Sequence, residues 1–112
     1  MSEVMQNIRQ LEAYIEGQKE VAAFADAVVR LQDNPDFRLV INEGFMLHQA
    51  ARYAQESGDP ALQPHQRQDA LNMAQASGHL KRFLSVSVVM GNDADQSILN
   101  AQQQLEELRA EA

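Results

Sequence analysis

Cysteine and tryptophan are absent from the 112 residues, and glycine and proline number only five and three. Without cysteine there is no disulfide framework, no thiol nucleophile and no Cys-ligated zinc. The same absence fits a chain made in a reducing cytoplasm. So few turn formers argue against a sandwich or barrel of short strands. No apolar run approaches the roughly 18–20 residues that span a bilayer, so neither a transmembrane helix nor a membrane partner is expected. The opening Met1–Gln10 is polar and carries Glu3, unlike a secretory signal. No GxxxxGK[ST], GxGxxG or GxSxG occurs, which leaves phosphate cradles and nucleophile elbows unsupported.

Positive charge is also scarce. Nine Lys and Arg stand against sixteen Asp and Glu, a formal charge of −7. Direct nucleic-acid binding is therefore not expected, because cations neutralising phosphates supply most of that affinity. What the chain has is apolar content, 45 % of its residues. That is too much for disorder, and the length suits a single helical domain over 1–112. The charge is uneven: residues 61–90 carry one acid and three bases, while the other segments are net acidic. Arg67, Lys81 and Arg82 thus form the only basic part. The plain explanation is a solvated face; the sharper one is a docking patch for an acidic partner, such as the acidic end of another copy.

Two sites punctuate the chain. At Asp33-Asn34-Pro35-Asp36 one helix stops and another starts, with Asn34 as N-cap, Pro35 at N1 and Asp36 at the positive helix end. At Ser57-Gly58-Asp59-Pro60, Gly58 suits the residue just past a finished helix and Pro60 prevents resumption. Helices are expected at about 3–32, 35–57, 64–77 and 79–110.

The first starts from Ser2 and carries Val4, Ile8, Leu11 and Ile15 in one stripe. After Gly17-Gln18-Lys19-Glu20 the phase changes to Val21, Phe24, Val28 and Leu31, which predicts a different packing partner for each half. The second helix presents Phe37, Val40, Ile41, Leu47, Ala51 and Ala54, with Phe45 and Tyr53 near the flanks. Gly44 costs about 1 kcal/mol there relative to alanine, which a close helix crossing would explain.

Phe83–Met90 alternates like a strand. However, Leu80, Leu84, Ser87, Gly91, Ala94, Ile98, Ala101, Leu105 and Leu108 hold steps of four and three throughout, which a strand has no reason to do. A helix is expected, weakened near Gly91-Asn92-Asp93, with a break at Gly91 as the fallback. Thirty helical residues span about 45 Å, longer than a compact domain of this size is wide. The coiled-coil-like seams at both ends can pair antiparallel within the chain or between chains. Pairing between chains is favoured, giving a homo-oligomer with its seam at Ile8, Leu11, Ile15, Ile98, Leu105 and Leu108.

Chemistry is thin. His48, His65 and His79 lack zinc-motif spacing; His48 reads as a half-buried imidazole, His65 and His79 as surface residues. Asn92, Asp93 and Asp95 resemble the start of a calcium loop, but the glycine and glutamate that complete it are missing. The serines at 57, 77, 85, 87 and 97 have no local base to activate them. Glu43 or Glu56 with His48 is the kind of pair that arises by chance on a helix. No catalytic residue, cofactor or metal is expected.

The segment Asn34-Pro35-Asp36-Phe37-Arg38-Leu39-Val40-Ile41-Asn42-Glu43-Gly44-Phe45 resembles a helix start in small acidic, all-helical proteins of tailed bacteriophages. So do Ala50-Ala51-Arg52, Asp59-Pro60-Ala61-Leu62, Gly78-His79-Leu80-Lys81-Arg82-Phe83-Leu84 and the Glu-rich C-terminal helix. The likeness spans residues 34–112, with 85–92 departing from it, and carries over no functional residue. It implies a gene near head genes and a place in the host cytoplasm during assembly or in the virion. The expectation is an all-α helical hairpin or small bundle. Its expected role is non-enzymatic, as a head-associated or scaffolding-type component that contacts itself and other phage structural proteins. The alternatives are an acidic inhibitor of a host nucleic-acid enzyme, its carboxylates standing in for phosphates, and a regulatory nucleic-acid-binding module.

Overall fold

The computed structural model describes residues 2–112. Every regular element among them is helical: α1 (Glu3–Gln32), α2 (Pro35–Phe37), π1 (Arg38–Gln49), α3 (Ala50–Ser57) and α4 (Pro64–Glu111). Elements α2, π1 and α3 follow one another without a gap and make one rod over 35–57. The fold is thus all-α, with long first and last helices. No described helix is long and apolar enough to cross a membrane. The chain divides into two compact units: one joins the N-terminal stretch up to Val28 with Ser87–Ala112, and the other is Val29–Val86.

Side chains that satisfy orphan backbone groups set the helix ends. Ser2 Oγ accepts from the Met5 N–H at 3.2 Å and so caps α1. Asn34 Oδ1 accepts from the N–H groups of Asp36 at 2.9 Å and Phe37 at 3.1 Å, with Pro35 inside the new helix as expected. Arg38 ties the corner from the other side. Its Nε donates to the Gln32 carbonyl at 3.0 Å and its guanidinium lies 3.3 Å from Asp33. Asn34→Ala removes an acceptor for two N–H groups, and should cost about 1 kcal/mol. Thermal unfolding followed by circular dichroism checks this.

Gly58 does close α3, but with φ −103°, a conformation open to any residue. Asp59 makes the turn: its Oδ1 accepts the Ala61 N–H at 2.9 Å and its carbonyl accepts the Leu62 N–H at 3.2 Å. Helix α4 then opens on half of a capping box, with the Gln63 N–H donating to Gln66 Oε1 at 2.9 Å.

In the first unit the two ends of the chain bury one another. Ile8, Ile15, Ala101 and Leu105 form its core, and Val4, Leu11, Ile98 and Leu108 pack against it. Glu12 meets Arg109 at 3.6 Å while Gly91 lies beside Ala25, so rising numbers on α1 face falling numbers on α4. The pair is antiparallel and lies within one chain.

Four sequence expectations change. Helix α4 runs unbroken from Pro64 to Glu111 instead of as two helices at 64–77 and 79–110; it passes through Gly91 as expected, without the fallback break. The repeat from Leu80 to Leu108 is buried or half-buried at each of its nine positions, and Ala70 and Ser77 ahead of Gly78 are buried too, so α4 keeps a covered face on both sides of Gly78 and of Gly91.

The stripe on α1 does not change phase either. It continues through half-buried Gln18, Val21 and Ala22 to buried Ala25 and Val28, while Phe24 and Leu31 stay about half exposed. A side-chain carbon placed on Gly91 would overlap the Ala25 methyl group and come within 3.6 Å of the Ala25 Cα. Only small residues permit that approach, and they outweigh larger side chains in setting the face.

The close crossing expected at Gly44 is therefore found at Gly91. A carbon added to Gly44 would meet only its own rod, at the Leu39 carbonyl, 3.4 Å away.

In the second unit, Ala70, Ser77 and Leu84 are the buried positions of α4. The rod over 35–57 does not present the expected row. From Arg38 to Gln49 it is wound as a π-helix, in which each N–H reaches back five residues; Ala50 still donates to the Phe45 carbonyl. The wider winding delays each following side chain. Phe37, Ile41, Phe45, Met46, Ala50 and Tyr53 are half-buried, whereas Val40, Leu47, Ala51 and Ala54 are exposed.

Candidate functional site

The six residues expected as an oligomer seam (Ile8, Leu11, Ile15, Ile98, Leu105 and Leu108) meet in one place, and they meet within the chain. Their apolar surface is removed from water without a second copy, so it does not by itself call for one. Beside the seam runs an open groove walled by Glu12, Glu16 and Lys19 on one side and Gln102, Glu106 and Arg109 on the other. Its ion pairs, Glu12–Arg109 at 3.6 Å and Glu16–Lys19 at 3.2 Å, join side chains more than half exposed. Exposed pairs of this kind contribute at most about 1 kcal/mol each.

The basic residues do not converge. Lys81 and Arg82 are exposed and Arg67 is half-buried, all three on the continuous α4. Fourteen residues of helix separate Arg67 from Lys81, roughly 21 Å of axial rise. Offsets of fourteen and fifteen residues are close to four whole turns, so the three lie on roughly one side of α4, a span for an extended acidic partner and not for a small ligand. Arg67 and the adjacent pair are separate cations along a rod.

The second unit has a cleft where α3 turns into α4. Tyr53 and Glu56 face Leu62, Ala70 and Met73 across it, with Asp59 and Asp69 at its edges. The Arg52 guanidinium lies 4.9 Å from the Tyr53 ring centre and 3.7 Å from Glu56, so Arg52 is engaged by two residues of the cleft wall.

His48 lies exposed, not half-buried, because the π winding turns it out together with Leu47; His65 and His79 are exposed as expected. No group of three metal-donor side chains forms among the described residues. Two of the serines are engaged by their own helices: Ser57 Oγ donates to the Ala54 carbonyl at 2.6 Å and Ser77 Oγ to the Ala74 carbonyl at 2.9 Å. A hydroxyl held in this way is a poor nucleophile, since its proton is directed at a carbonyl and not at a base.

Sequence reasoning missed two features. One is the Ala25–Gly91 contact, whose signal was small residues at three successive seam positions of α4, Ser87, Gly91 and Ala94, with Ala22 and Ala25 on α1. The other is the apolar group that the rod leaves outside. Leu39, Val40 and Leu47 are 60 %, 61 % and 59 % exposed, and all lie in π1. No pattern in the sequence marks them, because a regular helix would have buried two of the three. Comparison with protein-family models, with curated proteins and with solved structures gives no match to this chain.

Proposed function

We propose that this is a non-enzymatic interaction protein that works by self-association and contact with other proteins, of the head-associated or scaffolding type in a tailed bacteriophage. The phage setting rests on the sequence resemblance over residues 34–112. The mode of action rests on one observation: Leu39, Val40 and Leu47 stand about 60 % exposed within nine residues of one another. Exposed apolar side chains concentrated on one element of a protein mark contact sites when they form a continuous patch. Since the terminal seam is closed within the chain, association must use the apolar side chains left outside it. The acidic surface disfavours adsorption to nucleic acid, so protein contacts remain specific in its presence.

Measuring the mass of the purified chain over a range of concentrations at low and high salt tests this. A species larger than the monomer should form by tens of micromolar and persist in high salt, because apolar burial is not screened. A strictly monomeric chain under both conditions would overturn the reading. Co-sedimentation of the chain with particles from infected cells would locate it in assembly.

A further inference from the structure

We infer that the rod over 35–57 is a two-register element: Arg38–Gln49 can wind as the observed π-helix or as an α-helix. The change of winding exchanges the row of side chains that the rod keeps from water. This inference stands apart from the assembly proposal and needs no second copy.

Four observations carry it. First, the segment is twelve residues long, whereas π winding elsewhere is mostly a single-turn bulge inside an α-helix. Second, the sequence holds a usable row for each winding. The π register half-buries Phe37, Ile41, Phe45, Ala50 and Tyr53. At 3.6 residues per turn the same rod would instead bring Phe37, Val40, Ile41, Leu47 and Ala51 to one side. Third, the residues bounding the segment already have α-helical dihedrals, φ −62° and ψ −44° at Phe37 and φ −61° and ψ −42° at Ala50. Conversion then moves each N–H from the carbonyl five residues back to the one four back, and every interior donor keeps a partner. Fourth, Gly44 sits in the middle, and no atom of another described element is within 4 Å of a carbon added there. Gly44 therefore adds no side chain of its own to hold the rod in one register.

The two ends of the rod respond differently. Asn34 holds the first turn through two hydrogen bonds, so the change of phase accumulates toward Ser57. In the α register Leu47 and Ala51 turn inward, and Phe45 and Tyr53 turn outward. The population of each register depends on which row is better buried, so a substitution that penalises one row favours the other.

The absence of cysteine makes the test direct, because one introduced thiol is the only one in the molecule. Leu47→Cys places it where the π register exposes it. Labelling is read at a dilution where sedimentation gives the monomer mass, so that protection by another copy is not mistaken for a change of winding. Adding Ala50→Asp puts a carboxylate on the π-buried row. The thiol at position 47 should then react roughly fivefold more slowly or less, as the population moves to the α register, with helical circular dichroism retained. Unchanged labelling, or loss of the helical signal, would overturn the inference.

A second pair is independent of how the carboxylate affects folding. Leu47→Gln penalises the α register, so a thiol introduced by Ala50→Cys should react more slowly with it than without it. Equal rates would also overturn the inference. Backbone couplings across hydrogen bonds in the unsubstituted protein supply the last check: i to i−5 pairing must be present over Arg38–Gln49.

Discussion

Gly91→Ala is expected to lower the stability of the protein by about 2 kcal/mol, even though alanine is about 1 kcal/mol the better helix former. The added methyl would overlap that of Ala25, and the Ala25 Cα lies only 3.6 Å away, so a rotamer change cannot relieve the contact. Helices α1 and α4 must separate locally, which loosens the packing of Ala94 and Ala101 further along the seam. The discriminating experiment is a double-mutant cycle. Ala25→Gly should cost about 1 kcal/mol alone through helix propensity. Combined with Gly91→Ala, it should recover most of the loss, because the single methyl then fits from the other side. Denaturant unfolding measures all four proteins. If Gly91→Ala is as stable as the parent, the two helices are not in contact at this point.

Leu105→Ala should cost about 2–4 kcal/mol, a loss near 10 °C in the unfolding midpoint of a chain this size. Leu105 is 6 % exposed and packs with Ile8, Ile15 and Ala101, so truncation leaves a cavity that two helices can only partly collapse. Leu99→Ala is the control from the same helix. Leu99 is 61 % exposed, and its truncation should change stability by about 0.5 kcal/mol or less. The pair separates burial from helix propensity, since both substitutions exchange leucine for alanine within α4. Equal losses from the two would mean that the seam is not the core of its unit.

The legible parts of the fold were those specified by neighbours in sequence. Ser2, Asn34 and Pro35 mark helix starts through side chains that satisfy N–H groups two or three residues away, and such marks do not depend on the rest of the chain. The nine-position repeat from Leu80 to Leu108 was equally plain and predicted burial at every step. It did not show that Gly78 and His79 lie inside one helix. Local signals there argue for a stop, and the stop fails because α4 has buried positions on both sides of it, at Ala70 and Ser77 before and Leu84 after.

The phase on α1 was misread for a related reason. Phe24 and Leu31 outweigh Ala22 and Ala25 on any hydrophobicity scale, but the facing Gly91 makes close approach the deciding term. The winding of π1 was not legible at all. Both registers place apolar residues on one side, so a binary pattern cannot choose between them.

By itself, the order of residues determined that the chain is helical, where its rods begin, and that the apolar stripes at its two ends match each other. These follow from capping, propensity and periodicity, which act over a few residues. Only the tertiary structure decided that the stripes close on each other within one chain, that Gly91 is a contact and not a hinge, and that the middle rod turns Leu47 out and Phe45 in. Each of these depends on the distance between groups remote in sequence, or on a choice between two ladders of hydrogen bonds that the same residues can form.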